Sequence, residues 1–202
     1  FRRLKRKGKE ICIMKNEKIG FFGGCFNPPT NVHIGIAKKL ITKGLVDKVV
    51  FIPVGDYYPK KELIKAQHRY NMLKLACQNE PNIDVDDIAL KEQRNLYATD
   101  TFELIQNKYT KEDIYFIMGS DNFEKMPNWK NYDALISKYK SIVIERLKHE
   151  INQKHDNVIY YKTNLKEDVS SSNIRKMLKS NKSTEHWLNP EVMKYIQKNK
   201  LY

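Results

Sequence analysis

Two stretches near opposite ends of the 202-residue chain carry side chains suited to holding an anion. The first is GFFGGCFNPPTNVH at 20–33. Gly23 and Gly24 can take positive φ or let backbone approach a ligand closely. Asn27-Pro28-Pro29 sets an extended turn, since each proline locks its own φ and restricts the residue before it. Thr30 can cap the helix that follows, whose first turn offers unpaired N–H groups to phosphate. His33 lies in that turn and can donate to a phosphate oxygen. The second stretch is DVSSSNIRKML at 168–178, where Ser171, Ser172 and Arg175 gather at another helix start. A strand-to-helix turn and a serine-capped surface helix are the plainer alternatives. Neither a Walker A loop nor a G-x-G-x-x-G fingerprint is present.

The elements that must position these residues follow from apolar patterning. Short apolar runs bounded by turn residues predict strands at 18–22, 48–54, 113–118, 141–145 and 158–161, and 83–90 can hold another. Helical spacing places helices at 31–43 and 65–79, with shorter ones at 98–108, 131–139, 171–179 and 190–199. The last opens with Asn189-Pro190, a cap followed by proline at the first helical position. Alternating strands and helices predict an α/β fold, a Rossmann-like doubly wound, mostly parallel sheet in a single domain. Ligands of such sheets bind beyond the carboxyl ends of the strands, and the Gly23-Gly24 loop sits at such an end.

Composition narrows the function classes. A hydrophobic share of 41% with 11% aromatics argues against disorder. No run approaches the roughly 18–20 apolar residues that span a bilayer, and no signal peptide is visible, so a cytoplasmic protein without a membrane partner is expected. The three cysteines, 12, 25 and 77, lack metal-ligand spacing, as do His149, His155 and His186, so no protein-held metal is expected. The net charge is +13, of which residues 1–13 hold +5 and residues 14–202 the remaining +8. The cations are mostly dispersed lysines without an arginine stripe. They suit a solvated surface that also attracts phosphorylated substrates, rather than nucleic acid. Residues 1–13 read as a basic extension, non-native or disordered, with Met14 as the natural start and 14–202 as the domain. A homo-oligomer stays open.

GGCFNPPTNVH resembles the nucleotide-binding loop of the nucleotidyltransferase superfamily, G-x-F-x-P-x-[HT]-x-x-H. Three further segments, ALKEQRNLYATDTFELI at 89–105, FIMGSDNFEKMPNWKNYDALI at 116–136 and DVSSSNIRKML, are similar in order to the nicotinate/nicotinamide mononucleotide adenylyltransferases. The resemblance implies transfer of the adenylyl group of ATP to a pyridine mononucleotide, with pyrophosphate released and Mg²⁺ on the phosphates. It implies that His33 and Arg175 are catalytic, His33 on the ATP phosphates and Arg175 on the β- and γ-phosphates. It places Gly23, Gly24, Phe26, Thr30, Ser171 and Ser172 around ATP, Thr30 through its hydroxyl, with Gly119 and Asp121 on the adenosine side. Asp121 can equally cap a helix. The resemblance further implies that Trp129 stacks on the pyridine ring and that Tyr97 and Thr99 meet its carboxylate or amide, while Lys60 reaches a phosphate. Asp100 can cap a helix there. Lys61 is expected beside Lys60, and His68 and Arg69 match a basic position for which surface placement is the alternative.

Val32 departs from the glycine of the H-x-G-H form, and Ala98 stands where threonine is usual in bacterial members. The choice between nicotinate and nicotinamide acceptors is open on these residues. Pantetheine-phosphate, cytidylyl and flavin acceptors are rival readings, as is a basic nucleic-acid-binding protein. A class I tRNA synthetase fragment fits poorly, because Ile36 follows His33-Ile34-Gly35 and no KMSKS-like element occurs.

Overall fold

In a computed structural model, the described residues are 3–6 and 9–12 (backbone only), 16–145, 155–163 and 169–202. Met14, His149 and Asp168 lie outside them, as does the side chain of Cys12. Strands β1 (Arg3–Arg6) and β2 (Lys9–Cys12) pair antiparallel as a sheet of their own. Six strands form the main sheet: β3 (Lys18–Gly24), β4 (Lys48–Pro53), β5 (Ile83–Val85), β6 (Asp113–Gly119), β7 (Lys140–Glu145) and β8 (Val158–Lys162).

All pairings in the main sheet are parallel, in the order β5-β4-β3-β6-β7-β8. The first strand of the sheet therefore sits in its middle. The chain first builds outward to β5, then returns to the other side of β3 with β6. The switch point lies between β3 and β6, whose carboxyl ends are Gly24 and Gly119. An open α/β sheet forms its crevice at such a point.

Helices cover both faces, because side chains alternate across each strand. Phe22, Val49, Phe51, Ile117, Ile142 and Ile144 enter one core, with Leu40, Met72, Ile174 and Val192 from α1 (Asn31–Thr42), α2 (Ala66–Cys77), α6 (Ser171–Lys179) and α7 (Pro190–Lys198). Ile19, Phe21, Val50 and Ile52 point the other way, onto Ile105 of α3 (Ala98–Lys108). Met118 and Val143 meet Phe102, Phe123 and Leu135 on that second face, under α3, α4 (Ser120–Phe123) and α5 (Tyr132–Lys138). Each fully buried Phe or Leu of this kind contributes about 1.5–3 kcal/mol. α7 also seals against α2, where Asn71 Nδ2 donates to the Tyr195 hydroxyl at 2.9 Å, and that oxygen lies 2.9 Å from His68 Nδ1.

The expected α/β doubly wound sheet is thus present, with one local difference. The strand in 83–90 is only Ile83–Val85, because Asp86 turns inward to hold other elements. Asp86 is 6% exposed and accepts from Lys108 Nζ at 2.6 Å, the Tyr109 hydroxyl at 2.7 Å and the Ile88 N–H at 3.0 Å. Burial pushes this carboxyl up, but these bonds and the Lys108 charge outweigh it and hold it below the usual Asp value. The ordinary Asp pKa is about 3.9. The stabilisation is therefore present above that pH and is lost as pH falls into the depressed range. Asp86→Asn should cost about 2 kcal/mol at neutral pH, with the difference from wild type shrinking below about pH 3. Thermal melts from pH 2.5 to 7 read both outcomes, and a pH-independent difference would contradict the ionic account.

Cys77 is buried, which pushes its thiol up to about 12, so it stays protonated at neutral pH.

Candidate active site

The loop after β3 keeps its shape through one unusual backbone angle and two close approaches. The left-handed conformation falls on Phe26, φ 46°, and not on Gly23 or Gly24. The glycines provide room instead. A Cβ on Gly24 would lie 2.9 Å from the Phe26 ring, and one on Gly23 would lie 3.3 Å from Phe116. Phe26 is 3% exposed and packs edge-on against the His33 ring, centroids 5.2 Å apart. The loop thus buries its aromatic and keeps its backbone at the crevice.

Thr30 caps α1, as the sequence predicts, and does so in partnership with His33. The Thr30 N–H donates to His33 Nδ1 at 3.0 Å, and the Thr30 hydroxyl lies 2.8 Å from the same nitrogen. A nitrogen that accepts an amide proton carries none, so the ring proton of neutral His33 resides on Nε2. Nε2, which carries that proton, is on the opposite edge of the ring. Thr30 is only 2% exposed, with its hydroxyl against the histidine ring.

The second anion-holding stretch meets the first loop directly. Ser170 caps α6, accepting from the Asn173 N–H at 3.2 Å. Ser171 Oγ donates to the Pro28 carbonyl at 2.8 Å, and Arg175 Nη1 donates to the Asn27 carbonyl at 2.9 Å. Arg175 Nη2 also reaches Ser172 Oγ at 3.3 Å and lies 3.9 Å from a Glu62 carboxylate oxygen. The Arg175 side chain is 14% exposed. Asn27 joins three segments. Its amide donates to the Glu62 carbonyl at 3.0 Å, and it accepts from the Tyr202 hydroxyl at 2.6 Å. Burial pushes that phenol well above its usual range, keeping it a donor.

Gly119 ends β6 and caps α4, whose first turn carries Asp121. On the far side of the switch point, Tyr97 caps α3, and its N–H donates to Asp100 at 2.8 Å, so Asp100 does cap that helix. Tyr97 remains 47% exposed, with Lys130 Nζ 4.9 Å above its ring. Trp129 is half-buried against the second-face core, and Thr99 is buried. Lys60 Nζ lies 3.6 Å from Cys25 Sγ, which brings this cation to the first loop; Lys61 is exposed.

For Arg69 the structure rules out the surface alternative, since the residue is 0% exposed. Its guanidinium donates to the carbonyls of Ile64 (2.9 Å), Cys25 (3.1 Å), Val54 (2.7 Å) and Gly55 (3.4 Å). Burial pulls its pKa down, though a guanidinium stays charged in proteins. The signal available in the sequence was an arginine at helical spacing with Ala66, Met72 and Leu73, all buried. Asn27 and Tyr202 had no comparable signal.

Among the described residues no cluster of three or more His, Cys, Asp or Glu is placed to hold a metal ion. The groups named at the crevice are mostly hydroxyls, N–H groups and cations, and the carboxylates Glu62, Asp100 and Asp121 come from separate segments without forming such a cluster. That set fits a Mg²⁺ ion that arrives on phosphate oxygens and keeps its water, not one caged by protein.

Comparisons with known proteins bear on the family and the fold. The pattern of the cytidylyltransferase-like family matches residues 21–177. A probable nicotinate-nucleotide adenylyltransferase of Bacillus licheniformis is 31% identical over 187 residues, 92% of this chain and 98% of that protein. One from Borrelia hermsii is 34% identical over 192 residues, covering 92% and 97%. The solved nicotinic acid mononucleotide adenylyltransferase of Plasmodium falciparum, complexed with NaAD, superposes with a TM-score of 0.81 at 22% identity, over 92% of this chain and 97% of that one. At that identity it supports the fold.

Proposed function

Because the chain belongs to the cytidylyltransferase-like family and aligns over nearly its whole length with nicotinate-nucleotide adenylyltransferases, we propose that it transfers the adenylyl group of ATP to nicotinate mononucleotide. The products are the deamido form of NAD and pyrophosphate. The observation that carries this reading is the joining of the two anion-holding stretches. Pro28 and Asn27 of one loop are bonded to Ser171 and Arg175 at the start of α6, beside the switch point of the sheet.

The reaction asks the protein for position and charge rather than for a general base. The 5′-phosphate of the mononucleotide is already an anion. One of its oxygens forms a bond to the α-phosphorus of ATP as the bond to the bridging oxygen breaks, and that oxygen's electrons leave with pyrophosphate. In-line placement and neutralisation of the departing charge are therefore the main contributions. His33 Nε2–H donates to a phosphate oxygen near the transferred group. Arg175 and the amides at the start of α6, with Ser172, hold the β- and γ-phosphates. Backbone at Gly23, Gly24 and Phe26 approaches the triphosphate, and Gly119 with Asp121 serves the adenosine. A Mg²⁺ ion bound with ATP would supply further charge neutralisation.

The acceptor occupies the other side of the crevice. Trp129 offers a ring face to the pyridine, Tyr97 and Thr99 present the start of α3, and Lys60 reaches the mononucleotide phosphate. The full-length relatives named above carry neither a pantetheine-phosphate nor a cytidylyl activity in their names.

Pyrophosphate release from ATP should occur with nicotinate mononucleotide, and at a kcat/KM at least about tenfold higher than with nicotinamide mononucleotide. The factor corresponds to about 1.4 kcal/mol of discrimination. Equal use of both acceptors would leave the adenylyl transfer standing and remove the nicotinate assignment. Turnover with neither would refute the proposal.

A further inference from the structure

Arg69 leads the fully buried side chains in volume, yet no carboxylate lies within ion-pairing distance of it among the described residues. Asp56 acts on it only as a more distant charge, and one of that residue's oxygens is engaged by the Ala66 N–H at 2.6 Å. Desolvating a guanidinium is costly unless hydrogen bonds and opposite charge compensate. Here carbonyls supply the bonds, and the protein supplies little of the charge.

The identity of those carbonyls matters. A trans peptide is planar, so its C=O and N–H point in opposite directions. Drawing the Cys25 carbonyl inward at 3.1 Å turns the Phe26 N–H outward, and drawing the Val54 carbonyl inward at 2.7 Å does the same for the Gly55 N–H. Neither N–H has a protein acceptor among the described residues. Both lie just past the carboxyl ends of adjacent parallel strands, β3 and β4. Gly55 is held there by close packing, since a Cβ on it would lie 2.7 Å from the Ala89 carbonyl oxygen.

We infer that Arg69 is a positioning residue, which turns the Phe26 and Gly55 N–H groups toward the substrates' phosphates from two neighbouring strand ends, and that those phosphates furnish the counter-charge its buried guanidinium lacks. The inference rests on the phosphate-binding reading of this crevice. It adds a role for α2 at the crevice.

Two measurements test it. In ¹⁵N spectra of the wild-type chain, pyrophosphate alone should shift the Phe26 and Gly55 amides and the Arg69 Nε–H along one saturation curve. Separately, Arg69→Lys, assayed where circular dichroism shows it folded, should lose about 30-fold or more in kcat, as expected when reacting groups are displaced. Met72→Ala, at a fully buried α2 position outside the site, should also lower the melting temperature but keep kcat within about threefold of wild type. Pyrophosphate shifts that spare Phe26 and Gly55 would overturn the inference. So would an Arg69→Lys kcat no lower than that of Met72→Ala. If Arg69→Lys does not fold, the spectra decide alone. A wild-type chain that shows the shifts but makes no dinucleotide would refute the proposed reaction and leave this inference intact.

Discussion

His33→Ala is expected to lower kcat by about 100-fold or more, the loss typical when one positioned donor to a transition-state oxyanion is removed. Its effect on folding should be small by comparison. The capping bond from the Thr30 N–H to Nδ1 would be lost, which costs about 1 kcal/mol at a helix start. The loss in kcat should dominate any change in KM, because a donor placed for charge that develops during transfer acts chiefly in the transition state. His33→Asn separates the two roles. It can still accept at the cap, yet its amide is too short to reach where Nε2 lies. It should therefore melt near wild type and remain as slow as His33→Ala. Near-normal kcat in either variant would reduce His33 to a helix cap.

The second large effect is expected at Arg175. Arg175→Met keeps much of the stem and removes the guanidinium that reaches Asn27, Ser172 and Glu62. Two losses should follow. The grip on β- and γ-phosphates disappears, raising KM for ATP, and charge leaving with pyrophosphate is no longer neutralised, lowering kcat. Together these should reduce kcat/KM for ATP by about 100- to 1000-fold, equivalent to about 2.7–4 kcal/mol of transition-state stabilisation. KM for the mononucleotide should move little. Arg175→Lys should recover only part of the loss, because an ammonium cannot reproduce a planar fork on adjacent phosphate oxygens. A variant with unchanged KM for ATP and a general fall in melting temperature would instead assign Arg175 to structure alone, through its bond to the Asn27 carbonyl.

Much of the fold was legible in the chain. Apolar runs at 48–54 and 113–118 became β4 and β6 because a strand buried on both faces reads as continuous hydrophobic sequence. Asn189-Pro190 marked the start of α7, and the Asn189 side chain does accept from the Glu191 N–H at 2.8 Å. The region at 83–90 was harder. There a three-residue strand is followed by a buried Asp86 whose partners, Lys108 and Tyr109, come from the end of α3.

The candidate site divides the same way. Thr30 and His33 are three residues apart, so their mutual bond is a helix-start motif that sequence spacing can announce. Arg69 reaches a carbonyl 44 residues away, Ser171 one at 143, and Tyr202 an amide at 175. Contacts of that kind leave no periodic trace, because nothing in local backbone geometry demands them. Glycine offers a further case. The left-handed angle falls on Phe26, since only the packed ring of that residue and the crowding at Gly24 determine which peptide must turn.

The sequence by itself therefore determined the α/β class, the strand-loop-helix unit around His33, and the serine-arginine start of α6, all of which depend on interactions within a few residues. The tertiary structure alone decided that these two units touch, that the Thr30 hydroxyl turns toward His33, and that a buried arginine orders the loops at two strand ends. Those outcomes depend on which distant segments the sheet order brings together. They also depend on where, in a water-poor interior, each buried donor can find an acceptor.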